Sequence, residues 1–337
     1  MNFGFSEDQL ALATNVRDVL RTHCPPGSLR AERRPGWEQL AALGFFGLLL
    51  PEHADGLGLR LVDVLPALEE TGRACLPGPV VETAVVAPYL LAEVPKLASG
   101  AVSVAVLPPG QAYAADADLA DLLVVVRDGR ARVVQRPDVR LTPRRGVDPC
   151  RPLFEVGFLR SEPLPAPVGP VLARAMVAIA AQLVGVAREL LSVTVGYARV
   201  RTQFGAPIGS FQAVKHQLAD VAVAVEFAAP LVYRAALTVE TSGSDGCATD
   251  GCATDGRATD GFASSGAGRD ASAAKAAAGE AAALAARAAL QIHGAIGYTE
   301  ELDLRFWLAR AWSLAAAYGT TAAHREHLRN AIAGRRP

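Results

Sequence analysis

The stretch 197–205 reads YARVRTQFG and runs on through 206–216 as APIGSFQAVKH. Two guanidinium groups (Arg199, Arg201), an amide (Gln203), an aromatic ring (Phe204) and a glycine (Gly205) stand between two long Ala-rich apolar stretches. Guanidinium grips pyrophosphate oxygens bidentately and Phe offers a stacking surface, so this set suits a ligand with phosphates and a flat ring. Gln212 and His216 follow four apart, on one face of the next helix. A second group, QIHGAIGYT at 291–299, ends another Ala-rich stretch. Its glycines allow close backbone approach, and N–H groups in such a turn bind anionic or carbonyl oxygens. The structural alternatives are a basic helix C-terminus with an ordinary turn and a glycine C-cap. Finding both groups in one helical region, in this order, weighs against them.

Composition narrows the function classes. The chain has 337 residues, half of them apolar, and a net charge of −1. Its 33 Lys and Arg residues are scattered without a basic stripe, which argues against nucleic acid as a partner. The five cysteines (Cys24, Cys75, Cys150, Cys247, Cys252) include no CxxC pair, which argues against a disulfide framework or a zinc knot. Met1 leads into a polar SEDQ segment rather than an apolar leader, and no run of about 20 uncharged apolar residues is expected to span a bilayer. The expectation is a reduced, cytoplasmic protein.

The elements that must position these residues follow from periodicity and punctuation. Residues 3–22 read as a helix capped by Ser6, with Glu7 and Asp8 in its first turn. Further helical patterns cover 37–43, 63–72 and 80–98. Gly56 and Gly58 lack the third glycine of a nucleotide loop and read as a turn. Composition shifts at Gly100 toward β-branched residues, with strands expected at 102–107, 122–127, 131–134 and 153–159 and a linker at 161–170. Long helical patterns then span 171–201, 208–241, 271–296, 303–317 and 321–333, which predicts an antiparallel bundle. The CATDG repeat within 244–270 has almost no apolar content and reads as a flexible loop between bundle helices. His324 and His327 read as structural or solvated rather than as metal ligands, and Arg305 and Arg310 as lining an interface beside Trp307 and Trp312. The fold class is mainly α with a small β domain: helical domain 1–99, truncated β domain 100–165 and four-helix-type bundle 166–337.

The segments FSEDQLAL, LAALGFFGLLLPEHADGLGL, EETGRACLPGP, YARVRTQFGAPIGSFQAVKHQLAD and QIHGAIGYTEELDLRFWLARA together resemble the acyl-CoA dehydrogenase family. The resemblance implies a helical domain, a middle β domain and a C-terminal four-helix domain. It also implies FAD chemistry that removes hydrogens from Cα and Cβ of an acyl-CoA thioester. It further implies that Arg201, Gln203, Phe204, Gln291, Gly294 and Ala295 contact the pyrophosphate and adenosine half of a flavin held mainly by a neighbouring subunit. Gln212 is a weaker candidate.

Two departures from that pattern carry as much information. The TEPxxGSD-like loop and WITN-like strand that hold the flavin ring are not found between Gly100 and Pro170. The glutamate expected just before a Gly-Thr pair near the C-terminus is replaced by Tyr318, and a Tyr phenol titrates near 10, too high for an easy base. The other family position for the base reads Ala173, Arg174, Ala175. A retained dinucleotide grip with a lost ring pocket and a lost base resembles the short subunits of heterotetrameric (α2β2) acyl-CoA dehydrogenases of actinobacteria, which act on CoA thioesters of steroid side chains. The implied partner is a second, full-length acyl-CoA dehydrogenase subunit, with an acyl-CoA as substrate. Two alternatives stay open: a self-sufficient flavoenzyme using Tyr318 or another unusual base, and a non-catalytic scaffold.

Overall fold

A computed structural model of the protein describes residues 4–244 and 265–333. The CATDG repeat, with Cys247 and Cys252, lies outside the described residues. The first helix, α1 (Glu7–His23), starts where the Ser6 side chain accepts from the Gln9 N–H and the Gln9 side chain accepts from the Ser6 N–H. This capping box satisfies two end groups of the helix reciprocally. Helix α1 packs on α3 (Leu61–Arg73), with the short α2 (Trp37–Ala42) between them in sequence. The helix expected over 80–98 is shorter than that: residues 80–90 are helical, passing through a π turn (Glu82–Val86) into one α turn, α4 (Ala87–Leu90), and turns follow. Pro88 supplies no N–H to the turn before it, in keeping with the π turn there.

The β unit holds seven strands in two sheets. Strands β1 (Val104–Leu107), β3 (Leu122–Arg127), β4 (Arg130–Gln135) and β7 (Glu162–Leu164) form one sheet in the order β1-β3-β4-β7. Strands β2 (Ala114–Ala115), β6 (Leu153–Phe158) and β5 (Val139–Arg144) form the other, in the order β2-β6-β5. Leu123, Val125, Val134 and Phe154 belong to the small core that the two sheets share. The β5 strand escaped the sequence reading because VRLTPR is mostly polar; it is an edge strand, where Pro143 is tolerated. The expected linker 161–170 is also corrected. Part of it is β7, and the next helix already begins at Val168.

The bundle consists of α5 (Val168–Val200), α6 (Gln212–Ser244), α7 (Gly266–His293), α8 (Leu304–Ala316) and α9 (Thr321–Ile332). Helix α7 begins five residues before the expected 271, so 266–270 is helix rather than loop. Rows of alanine on α5 and α7 are buried at their contact, which lets the two axes approach. Helix α3 crosses α5 backbone to backbone. A Cβ at Gly72 would lie 2.1 Å from the Gln182 carbonyl oxygen, and one at Gly185 1.9 Å from that of Glu69. Both α5 and α6 contain an 18-residue window apolar enough to cross a membrane, contrary to the sequence expectation. In α5 83% of that window is buried inside the protein, as in a core helix, and in α6 39% is.

The three parts meet at Arg310 of α8, which is 3% exposed. Its Nε donates to Asp148 Oδ2 at 2.5 Å, its Nη1 to the Leu76 carbonyl at 2.7 Å and its Nη2 to the Cys150 carbonyl at 3.4 Å. Arg310 is therefore an internal joint and not part of an outer interface as expected. Removing one partner of a buried pair leaves an uncompensated charge, which costs about 3–5 kcal/mol. Arg310→Ala is expected to lose that much stability in chemical denaturation, whereas Arg305→Ala, half-exposed, is expected to lose under about 1 kcal/mol.

Candidate functional site

The end of α5 turns into a two-stranded hairpin of β8 (Thr202–Gln203) and β9 (Ala206–Pro207). The Arg201 N–H closes the helix on the Tyr197 carbonyl at 2.9 Å, and the Ile208 N–H returns to the Arg201 carbonyl at 2.8 Å. Phe204 and Gly205 form the turn with φ of 55° and 79°. Two consecutive positive φ values match the twist of a tight hairpin, and Gly205 adopts one freely. Phe204 does not, yet its ring is 93% exposed, braced edge-on by Phe211 at 6.2 Å. A strained aromatic held out in solvent, with no core to bury it, is the pattern of a presented contact residue.

Around it stand Arg199, Arg201, Gln203 and Gln212, all exposed, and His216 one turn further along α6. Among the described residues none of Arg199, Arg201, Gln203 and Gln212 makes a side-chain hydrogen bond or ion pair, so their donors remain available. The second motif lies at the same end of the bundle. His293, the last residue of α7, stacks on Tyr197 with ring centroids 4.3 Å apart and planes 23° apart. Gly294 follows at φ 64°, ψ −140°, a conformation open to glycine alone. Gln291 and Ala295 are exposed beside it. Arg30 reaches over from the N-terminal part to the Glu300 carbonyl at 3.1 Å and the Asp303 carboxylate at 2.6 Å, anchoring the chain just past the turn. The structure thus brings Arg201, Gln203, Phe204 and Gln212 together, and the Tyr197–His293 contact joins them to the Gln291–Ala295 turn. That contact was missed from sequence, since an aromatic four residues before an arginine carries no signal of its partner.

A cavity of about 600 Å³ opens elsewhere, between the β unit and the bundle. Its walls include the Pro109–Gly110 turn, the Asp128–Gly129 turn, Leu172 and Met176 of α5, Ser272 of α7, and Tyr318 with His324. Tyr318 sits at φ 55° in the turn between α8 and α9 and donates its hydroxyl to Glu82 Oε1 at 3.2 Å. Burial, and then the Glu82 carboxylate, push the phenol well above its ordinary value, and burial raises Glu82 too. Tyr318 therefore stays protonated and donating, which does not suit a base. The one carboxylate in the cavity wall among the described residues is Asp128, in the β3–β4 turn. Lys275, fully buried, donates to the carbonyls of Ala315 at 3.0 Å and Gly319 at 3.4 Å and so fixes the Tyr318 turn; burial lowers it to about 7.

Residues 6–95 match the family described as acyl-CoA dehydrogenase, N-terminal domain, and residues 171–333 match acyl-CoA dehydrogenase, C-terminal domain. The acyl-CoA dehydrogenase IpdE2 of Mycobacterium tuberculosis is 30% identical over 329 residues, covering 90% of this chain and 91% of that protein. The chain belongs to the acyl-CoA dehydrogenase family. A solved steroid acyl-CoA dehydrogenase (ACAD), the Tcur3481-Tcur3483 G363A variant, is 26% identical with a TM-score of 0.79, covering 97% of this chain and 98% of that one. The fold is also that of the ChsE4-ChsE5 complex from Mycobacterium tuberculosis, with a TM-score of 0.81, 19% identity and 99% coverage of both chains. The family match across 171–333 takes in the RTQFG hairpin, the QIHGAIG turn and Tyr318. The expected fold class, a helical region, a small β unit and a C-terminal helical bundle, stands as a member of this family.

His324, in the cavity wall, is buried between the Ser272 hydroxyl at 3.4 Å and the Tyr318 carbonyl at 3.1 Å. Burial, then Lys275 and His327, lower it from 6.5 to about 4. Because the folded value lies below the unfolded one, the unfolded chain takes up the proton first. The contribution of neutral His324 is present in full above about 6.5 and is lost as pH falls toward 4, up to roughly 3 kcal/mol. The stability advantage of the wild type over His324→Asn is therefore expected to be constant above pH 6.5 and to shrink below it, as read from denaturation midpoints across that range.

Proposed function

We propose that this chain is one subunit of a FAD-dependent acyl-CoA dehydrogenase, lending the ADP side of a flavin site to a second subunit that carries the catalytic base. The observation that carries this reading is the contrast between the two regions just described. The hairpin and turn present unpaired guanidinium, amide and aromatic groups outward, while the position of the family base holds a phenol locked onto a buried Glu82. The solved relatives named for a steroid ACAD and for a two-component complex support a CoA thioester of a steroid side chain as substrate and an α2β2 assembly with a full-length partner. A cytoplasmic location fits this role.

The exposed residues fit the dinucleotide half of FAD. Arg201, with Arg199 beside it, would hold the pyrophosphate; Phe204 would offer its ring face; and the amides of Gln203, Gln212 and Gln291, with the backbone at Gly294 and Ala295, would take the adenosine side. When bound, FAD supplies the acceptor for the hydride that leaves the substrate β-carbon. This chain offers no group for the α-proton: Tyr318 is a donor, and residues 173–175 are Ala, Arg and Ala. Arg174 is committed to Glu240 through Nε at 3.4 Å.

The test is the flavin absorbance near 450 nm of this chain purified alone and co-expressed with a full-length acyl-CoA dehydrogenase subunit. Colourless alone, but yellow and active as a complex with one flavin per pair of chains, is the expected result. A yellow, active chain by itself would overturn the shared site, and no flavin in either preparation would favour a scaffold. Within the complex, Arg201→Ala is expected to weaken flavin retention by about 10- to 100-fold, the worth of one charge-assisted hydrogen bond set. Tyr318→Phe is expected to leave turnover unchanged while lowering stability by roughly 1–3 kcal/mol, because Glu82 loses its partner.

A further inference from the structure

We propose that Tyr197 and His293 are positioning residues that hold the two halves of the dinucleotide grip, the RTQFG hairpin and the QIHGAIG turn, at a fixed separation. This rests on the reading of those two segments as a flavin-binding surface. Tyr197 lies in the last turn of α5, and its carbonyl receives the N–H of Arg201, the first residue of the exposed set. His293 ends α7, two residues after Gln291 and directly before Gly294. Their rings are nearly parallel, 23° apart, with centroids at 4.3 Å.

The imidazole is not free to choose its plane. Its Nδ1–H donates to the Ala289 carbonyl at 2.8 Å, so the ring is held by its own helix while its face meets Tyr197. It is buried, and burial lowers its proton affinity, so a neutral ring stacks on the phenol. The turn that follows wraps tightly about this residue: a Cβ at Gly297 would lie 3.2 Å from His293 Cβ and 3.3 Å from Leu290 Cδ1. On the other side, the short 3-10 turn that follows the hairpin (Ile208–Ser210) is pressed against α5, where a Cβ at Gly209 would lie 3.0 Å from the Ala198 carbonyl oxygen. A shift of either ring therefore moves a binding segment with it.

Helices α5 and α7 are already held together along their length by buried alanines. The aromatic pair adds little to that union. It acts at the two helix ends, where last turns open most readily and where the exposed segments begin. A flat ring on each side fixes separation and tilt together, which an aliphatic contact of similar volume does not.

The experiment uses the flavin-bearing complex. FAD is removed and rebound to Tyr197→Phe, Tyr197→Leu and His293→Gln, with Arg201→Ala as the control, and the melting temperature of each flavin-free preparation is measured in parallel. Tyr197→Phe keeps the ring and is expected to rebind FAD as the wild type does. Tyr197→Leu and His293→Gln are expected to bind about tenfold more weakly with melting temperatures unchanged, and the double variant no more weakly than either single one, because they break one contact. Leu variants that lower the melting temperature but rebind FAD normally would overturn the proposal and leave the pair as packing. So would a loss in Tyr197→Phe equal to that in Tyr197→Leu. His293→Gln removes the stack from the other side and decides the matter should Tyr197→Leu not fold. If Arg201→Ala loses affinity and the ring variants do not, the positioning proposal falls and the shared site stands. If Arg201→Ala also binds normally, the site reading itself has failed.

Discussion

A guanidinium sealed where three parts of the chain converge governs this structure. Arg310 brings its charge from the bundle, Asp148 answers from the β unit, and the Leu76 carbonyl closes the set from the N-terminal part. In a low-dielectric interior neither charge tolerates losing the other, so the parts cannot slide without exposing one. Desolvation alone would lower the guanidinium, yet Asp148 beside it raises it on balance, as a pair made for each other should behave. Arg151 reaches Ser313 of α8 across the same boundary between β unit and bundle. Lys275, donating to the Ala315 and Gly319 carbonyls, braces the turn that keeps Tyr318 at φ 55°.

Much of the fold could be read in advance because its signals are local. The Ser6 cap, the Ala-rich stretches of α5 and α7, and the Val-rich runs of β1 and β3 each declare their element within a few residues. The failures share a cause as well. At 80–98 the composition favours one long helix, but the helix ends at Leu90 after a π turn that Pro88, with no N–H to give, accompanies. The edge strand β5 is polar because one face meets water, which removes the apolar run that identifies a strand. Helix α6 has no run of about 20 uncharged apolar residues, yet it holds an 18-residue window apolar enough to cross a membrane, 39% of it buried within this chain.

The candidate site divides in the same way. Residue types at 199–205 and 291–295 suggest groups for phosphate and ring contacts, and the positive φ that presents Phe204 to solvent is a backbone feature no sequence pattern contains. What joins the two segments is a tertiary contact, Tyr197 on His293, between residues nearly a hundred positions apart. The tyrosine at the position where the resemblance expects the family base, Tyr318, was visible as a letter. Its consequence was not, because the phenol's role depends on Glu82, which comes from a different part of the chain.

Phe204 places two kinds of selection in opposition. A glycine or asparagine at that turn would relieve the backbone and remove an exposed apolar ring, so the chain alone would gain stability and solubility. On the proposed shared site, what keeps phenylalanine there acts on the assembled, flavin-bound protein rather than on the isolated fold. A screen of this chain for thermostability would then discard the residue that the proposed assembly has reason to keep.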